Sequence, residues 1–104
     1  MRKALIKVND ITAAILTEIS YGKIYQLEYL AEYQGSPISL TMPITQRIYQ
    51  FDSFPTFFDG LLPEGIQLEG LLRIQKIDRH DYFSQLICVG HDMVGAITAE
   101  EILP

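Results

Sequence analysis

The residues of this chain that could ligate a metal or act as nucleophiles are few. His80 and His91 are the only histidines, and Cys88 is the only cysteine. A zinc site takes several closely spaced ligands, and Cys88 with His91 supplies only a weak pair. We therefore expect both histidines in surface or capping roles, with no metal and no cofactor. The position of Cys88 between Ile87 and Val89 predicts an unreactive thiol in the core.

The motifs of nucleotide chemistry are also missing. The sequence contains neither the Gly-x-Gly-x-x-Gly pattern nor a phosphate-binding loop ending in Gly-Lys-Ser/Thr. A kinase catalytic loop needs an aspartate followed several residues later by a metal-binding asparagine. The only asparagine, Asn9, precedes every aspartate. We therefore predict that the chain has no catalytic residues and is not an enzyme.

The composition is that of one small acidic domain. The 104 residues are 48% hydrophobic and 20% charged, and the formal net charge is −5. A chain of this length can bury a modest core without a disulfide or a structural metal, so we expect a single domain over residues 1–104. Excess acid repels phosphate backbones, which argues against direct nucleic-acid binding. No segment has the length or flanks of a membrane span or signal peptide, so we expect a cytoplasmic protein with no membrane contact.

The first half of the chain is predicted to form a sheet, because β-rich runs alternate with turn residues. Four strands are predicted at Lys3–Val8, Ile11–Ile19, Ile24–Tyr33 and Ile38–Met42, and a final short strand at Val94–Thr98. Strands joined by short turns favour an antiparallel meander, one face of which must be covered by other elements. The segment Thr45–Asp52 is interpreted as a loop held against the core.

Two of these strands carry an apolar face at the period of two that is typical of a half-buried strand. The predicted face of the second strand is Ile11, Ala13, Ile15 and Ile19, and that of the third is Tyr25, Leu27, Tyr29, Ala31 and Tyr33. Aromatic residues on one strand face usually pack across strands or into a core. No basic residues interleave with the tyrosines, as base stacking would require, so we expect a packing role rather than a ligand site.

The second half of the chain is predicted to be mostly helical. The predicted helices are a short one capped by Ser53 with Pro55 in its first turn, a second over Pro63–Ile77, and a third at Tyr82–Gly90 preceded by a capping box at Asp78–Asp81. Glu100 and Glu101 are expected at the solvated surface. The predicted fold class is therefore α+β, a small antiparallel sheet of four to five strands covered by about three helices.

The joint between the first two helices is the segment most suggestive of an interaction. Apolar residues at helical spacing lead into it, and Pro63 then disfavours helical geometry at Leu62. The joint has two interpretations. It is either a hydrophobic plug that closes the core, or a stiff, partly apolar tip with one carboxylate, Glu64, that fits a cleft on a partner.

Three blocks of this region resemble a known family. Phe57–Gly65, Asp81–Ile87 and Gly90–Ile97 occur in the order and at spacings similar to those of the N-terminal subdomain of HipA-type serine/threonine kinase toxins. The resemblance is specific from Ser53 to Thr98, and before Ser53 it is one of strand pattern. As a separate chain, the sequence is similar to the HipS-type proteins of three-component systems. In those systems a HipT kinase lacks this subdomain, and HipB binds DNA.

The resemblance implies an antitoxin that binds and inhibits a HipT-like kinase, with a HipB-like DNA-binding protein as a further partner in a ternary complex. The expected contact is the corner between the helices, made up of Leu61, Leu62, Pro63, Glu64, Gly65, Ile66, Gln67 and Leu68. For Glu64, pairing with a basic group of the kinase and stabilisation by the helix dipole remain open. Two alternative functions are an accessory subunit that completes or scaffolds the kinase without inhibiting it, and a small-molecule-binding or enzymatic domain.

Overall fold

The fold is a five-stranded antiparallel sheet with three helices, in agreement with the predicted α+β class. A computed structural model describes residues 1–93 and 95–103. The strands are β1 (Arg2–Val8), β2 (Ile11–Ser20), β3 (Ile24–Tyr29), β4 (Ile48–Phe51) and β5 (Ile97–Ile102), and the helices are α1 (Thr56–Asp59), α2 (Gly65–Gln75) and α3 (Tyr82–Val89). The sheet order is β4-β3-β2-β1-β5, so an N-terminal meander is extended beside β1 by the last strand.

The fourth strand lies later in the chain than predicted. Ile48–Phe51, in the segment interpreted as a loop, pairs with β3, whereas the predicted strand Ile38–Met42 contributes only an isolated bridge. The Tyr29 side chain explains the difference, because its hydroxyl accepts from Ile38 N at 2.9 Å and donates to Met42 O at 2.6 Å. Backbone groups satisfied in this way need no neighbouring strand.

The core face of β2 also differs from the prediction. Ile6 pairs with Ala14 but Lys7 pairs with Thr12, so β2 contains a bulge at Ala13. A bulge inserts one residue and exchanges the two faces of the strand beyond it. As a result Leu16 and Glu18 are buried, while Ile19 of the predicted face is exposed and Ile15 is half-buried. Ile15 is therefore a hydrophobic residue that remains partly accessible to solvent. Ile11 precedes the bulge and is exposed at the start of the strand.

The tyrosines of β3 belong to the core, as predicted. Tyr25, Leu27 and Tyr29 are buried, and Tyr33 is buried although β3 ends at Tyr29. Ala31, predicted on the same face, is exposed in the turn that follows the strand. The Tyr29 and Tyr33 rings are stacked with their centroids 6.1 Å apart. These aromatic rings cover the sheet face near the loop 38–42, whose backbone is hydrogen-bonded to the Tyr29 hydroxyl.

The helices are shorter than predicted and are capped by different residues. Pro55 rather than Ser53 is the N-cap of α1, and it supplies no side-chain cap. Helix α2 begins at Gly65 and ends where Lys76 takes a left-handed conformation. Helix α3 is capped by Asp81, whose carboxylate accepts from Ser84 N at 3.2 Å, so the predicted box starting at Asp78 is wrong.

The end of α3 packs closely against β5. Gly90 ends the helix as predicted, and a Cβ on it would lie 2.0 Å from Ala99 O, so only glycine fits. Strand β5 begins at Ile97 rather than at Val94, a residue that lies outside the described part of the chain. Glu100 and Glu101 are exposed within β5.

Cys88 is exposed, and the prediction of a core thiol is wrong. The buried residues of α3 are Phe83, Gln85 and Leu86. Cys88 lies five residues after Phe83, which places it well away from that residue around the helix. Both predicted surface histidines are exposed.

A charged cluster ties the start of the sheet to α3. The Arg2 guanidinium donates two hydrogen bonds to the buried Glu18, at 2.7 and 3.0 Å, and another to Asp81 Oδ1 at 2.8 Å. Burial opposes ionisation of Asp81, but its hydrogen bonds from Arg2 and Ser84 outweigh this effect and lower its pKa. The cluster therefore fixes the N-cap of α3 to β1 and β2.

Within residues 1–93 and 95–103, no helix is long and apolar enough to cross a membrane.

Candidate protein-binding site

The corner Leu61–Leu68 has a buried base and an exposed tip. Leu61 N donates to Phe58 O and Leu62 N donates to Asp59 O, which continue α1 as tight turns. Leu62 is buried, with 8% exposed, and so anchors the corner in the core. The next four residues after Pro63 are exposed, and Leu68 is half-buried. The joint therefore has a buried plug at Leu62 and an exposed tip beyond Pro63.

The tip is held by backbone geometry rather than by side-chain bonds. Pro63 has a fixed φ, and Gly65 has φ +60°, a value that residues with a Cβ adopt at a cost. Glu64 is the N-cap of α2, but its side chain makes no capping hydrogen bond. Its carboxylate lies near the positive end of the helix dipole and remains available to a partner.

A groove runs beside the corner. It has a volume of about 330 Å³ and is lined on one side by Gly60–Pro63 and Gln67, and on the other by Val89, Asp92 and Met93. The sequence prediction included the first wall except Gly60, and none of the second wall. The signal for the second wall was present, because Gly90–Ile97 was one of the blocks that carry the family resemblance, yet nothing in its residue types indicated a site.

Helix α2 extends the exposed surface away from the corner. None of its residues is buried, although it contains five aliphatic side chains, Ile66, Leu68, Leu71, Leu72 and Ile74. Ile66 is 91% exposed and Ile74 is 76% exposed. None of these five side chains is among the described hydrophobic residues that form the core or pack against it. Apolar surface left open in this way often marks a site of protein interaction.

Acidic residues occur in the lining of the groove and next to one of its walls in the sequence. Asp92 lines it, and Asp59 and Glu64 flank the Gly60–Pro63 wall in sequence. All three are exposed. In the described part of the chain none of the three forms an ion pair or a side-chain hydrogen bond, whereas Glu69 of the same region pairs with Arg79. We call Asp59, Glu64 and Asp92 the acidic rim.

The groove is lined by side chains of several chemical classes. Its lining consists of aliphatic side chains, a thioether, an amide and a carboxylate. Across residues 1–93 and 95–103, no group of three His, Cys, Asp or Glu side chains is placed to hold a metal ion. The arrangement offers an apolar groove, an exposed isoleucine and nearby carboxylates to another molecule.

Comparison with known proteins gives the same relationship from sequence and from structure. The model of the HipA N-terminal domain family matches residues 4–100. A solved structure, the N-terminal domain of HipA toxin, is 29% identical with a TM-score of 0.79 over 99% of this chain and 94% of that chain. An uncharacterized protein of Haemophilus influenzae is 35% identical over 77 residues, 74% of this chain and 73% of its own length. The family match includes the first fifty residues, and we conclude that the chain belongs to the HipA N-terminal domain family.

Proposed function

We propose that this protein is a non-enzymatic antitoxin that binds and inhibits a HipT-like serine/threonine kinase toxin through the corner Leu61–Leu68. Family membership supports a role in a toxin–antitoxin system of the HipA type. The observation that carries the choice of surface is Ile66, which is 91% exposed at the tip of a corner anchored by the buried Leu62.

The corner is suited to insertion because little of it must be ordered on binding. The anchored base, the proline and the positive φ of Gly65 restrict the tip before the partner arrives. Preorganisation of this kind improves affinity by lowering the entropy cost of association. In the complex, Ile66 and Leu68 fill an apolar pocket of the kinase, and Glu64 pairs with a basic group in its ATP or substrate cleft.

The direct test is a titration of the cognate kinase with this chain. Autophosphorylation and substrate phosphorylation are measured on the same samples as a pull-down. An antitoxin acting on the kinase abolishes both activities at stoichiometric amounts and co-purifies with it. Activity lost without co-purification, or no effect at all, would contradict the proposal.

The surface is tested with two exposed isoleucines of the same helix. Ile66→Asp lies in the corner, and Ile74→Asp, two turns along α2, is the matched control. Truncating or charging a central anchor typically costs 2 kcal/mol or more, so we expect Ile66→Asp to weaken binding at least about thirtyfold. Ile74→Asp should bind and inhibit like the wild type. Equal inhibition by both variants would remove the corner as the inhibitory element.

The second candidate function is an accessory subunit that completes the kinase fold or scaffolds a HipB-like DNA-binding protein without inhibiting. The exposure of α2 as far as Ile74 favours it, because this surface continues well beyond the corner. It predicts co-purification with phosphorylation intact. The Ile74→Asp variant would then weaken binding as much as Ile66→Asp.

A further inference from the structure

We propose that the groove beside the corner receives a segment of the kinase in which an apolar side chain is flanked by lysine or arginine. This inference rests on the proposed function and specifies the chemistry of the partner's surface. It places a second contact behind the tip, on residues from both sides of the groove. The tip enters the partner, and the groove receives part of the partner in return.

The interior of the groove favours an apolar occupant. Its walls bring together Leu61, Leu62 and Pro63 from the corner with Val89 and Met93 from the end of α3. A volume of about 330 Å³ has room for a large aliphatic or aromatic side chain. Methionine and leucine walls adapt to the shape of such a residue.

The acidic rim determines the residues that flank this apolar side chain. Five other acidic residues already have cationic partners, namely Glu18 and Asp81 with Arg2, Glu28 with Arg47, Glu69 with Arg79 and Glu100 with Lys7. In the described chain Asp59, Glu64 and Asp92 have none, and no lysine or arginine lines the groove. Covering three unpaired carboxylates costs desolvation free energy unless the partner supplies cations.

Charge complementarity therefore selects the occupant. An acidic or phosphate-bearing segment would be repelled by the rim, and a purely apolar one would leave carboxylates covered and unpaired. A segment with an apolar residue between basic ones meets both requirements. Because the rim is exposed, its contribution should appear in the association rate and in the salt dependence of binding.

The experiment compares two double variants that have the same net charge. The rim variant is Asp59→Asn and Asp92→Asn, and it keeps Glu64 because the proposed function assigns that carboxylate to the contact made by the tip. The control variant is Asp10→Asn and Glu32→Gln, which neutralises exposed carboxylates that do not line the groove. Each changes the formal net charge from −5 to −3, so a general charge effect acts equally on both. Association with the cognate kinase is measured at low and high salt.

We expect the rim variant to bind about fivefold more weakly at low salt, with much of its salt dependence lost, as two exposed ion pairs of modest strength predict. The control variant should remain within about twofold of the wild type. If both variants bind alike, or the rim variant matches the wild type, the groove proposal is overturned while the kinase-binding function stands. If the wild type itself does not bind the kinase, both proposals fail.

Discussion

Arg2 shows how much one side chain contributes to this fold. Its guanidinium bonds both oxygens of Glu18 and reaches Asp81 and Ser84 on α3. It also lies over the Phe83 ring, 5.0 Å from its centroid. Tyr25 donates to the same Glu18 carboxylate at 3.1 Å, and burial and this carboxylate raise the tyrosine pKa. A buried glutamate is thus acceptable in the core because its carboxylate accepts hydrogen bonds from Arg2, Tyr25 and the Gly22 backbone N–H.

Replacing Arg2 by alanine should strongly destabilise the protein. The change leaves the Glu18 carboxylate, with a side chain only 3% exposed, without its cation, and an unpaired buried charge costs about 3–5 kcal/mol. Arg47→Ala is the matched control, because Arg47 pairs with Glu28 at the surface and such pairs contribute about 0–1 kcal/mol. Urea denaturation of each variant and of the wild type measures the change in the free energy of unfolding that each substitution causes. Similar losses for the two arginines would show that the Arg2 cluster is not buried in solution.

Some of these residues could be predicted from the sequence and others could not. The tyrosine face of β3 was predictable because its period of two is unbroken. The burial of Glu18 was not predictable, because a bulge at Ala13 changes which side of β2 faces the core. No single residue type indicates a bulge. Cys88 was placed in the core because its neighbours are apolar, although its position around α3 directs it outward.

At the scale of elements, turn chemistry misled the sequence prediction most. Pro37 and Pro43 bound a segment with the alternation of a strand, and the tyrosine hydroxyl that satisfies its backbone comes from β3. A side-chain partner nine to thirteen residues away is invisible to a local pattern. The corner was predicted well, because Pro63 and Gly65 fix local geometry whatever the rest of the chain does. The groove's second wall depends on tertiary packing and could not be predicted.

Helix α2 contains a glycine that the free protein does not need. A Cβ at Gly70 would meet no atom within 4 Å, whereas at Gly90 it would collide with Ala99 O. Glycine inside a helix costs about 1 kcal/mol relative to alanine, so Gly70→Ala should stabilise the chain by about that amount. Gly90→Ala should destabilise it instead, because backbone atoms must move. Chemical denaturation followed by circular dichroism compares the two, and a loss of stability in Gly70→Ala would contradict the open environment of this position.

Across the whole molecule, the sheet and α2 differ in how firmly they are held. Strands β1 and β2 contribute fully buried residues such as Ala4, Ile6 and Leu16, while α2 contributes none. Regions with few buried contacts open at a lower free energy than the global unfolding of the protein. The fold therefore consists of a stable sheet with α1 and α3, and a helix, α2, that contributes no buried residue.

Hydrogen exchange tests this division and the proposed function together. In the free chain, we expect amides of α2 to be far less protected than those of β1 and β2, because opening α2 exposes little apolar surface that is not already open. Equal protection of α2 and the central strands would contradict this view. On addition of the kinase, protection should increase in the corner and in the first turn of α2, since binding covers Ile66 and its neighbours, and should change little in β1 and β2. If the kinase instead slowed hydrogen exchange only at the exposed edge of β4, the partner would lie at the far side of the sheet. The proposed contact at Leu61–Leu68 would then be wrong.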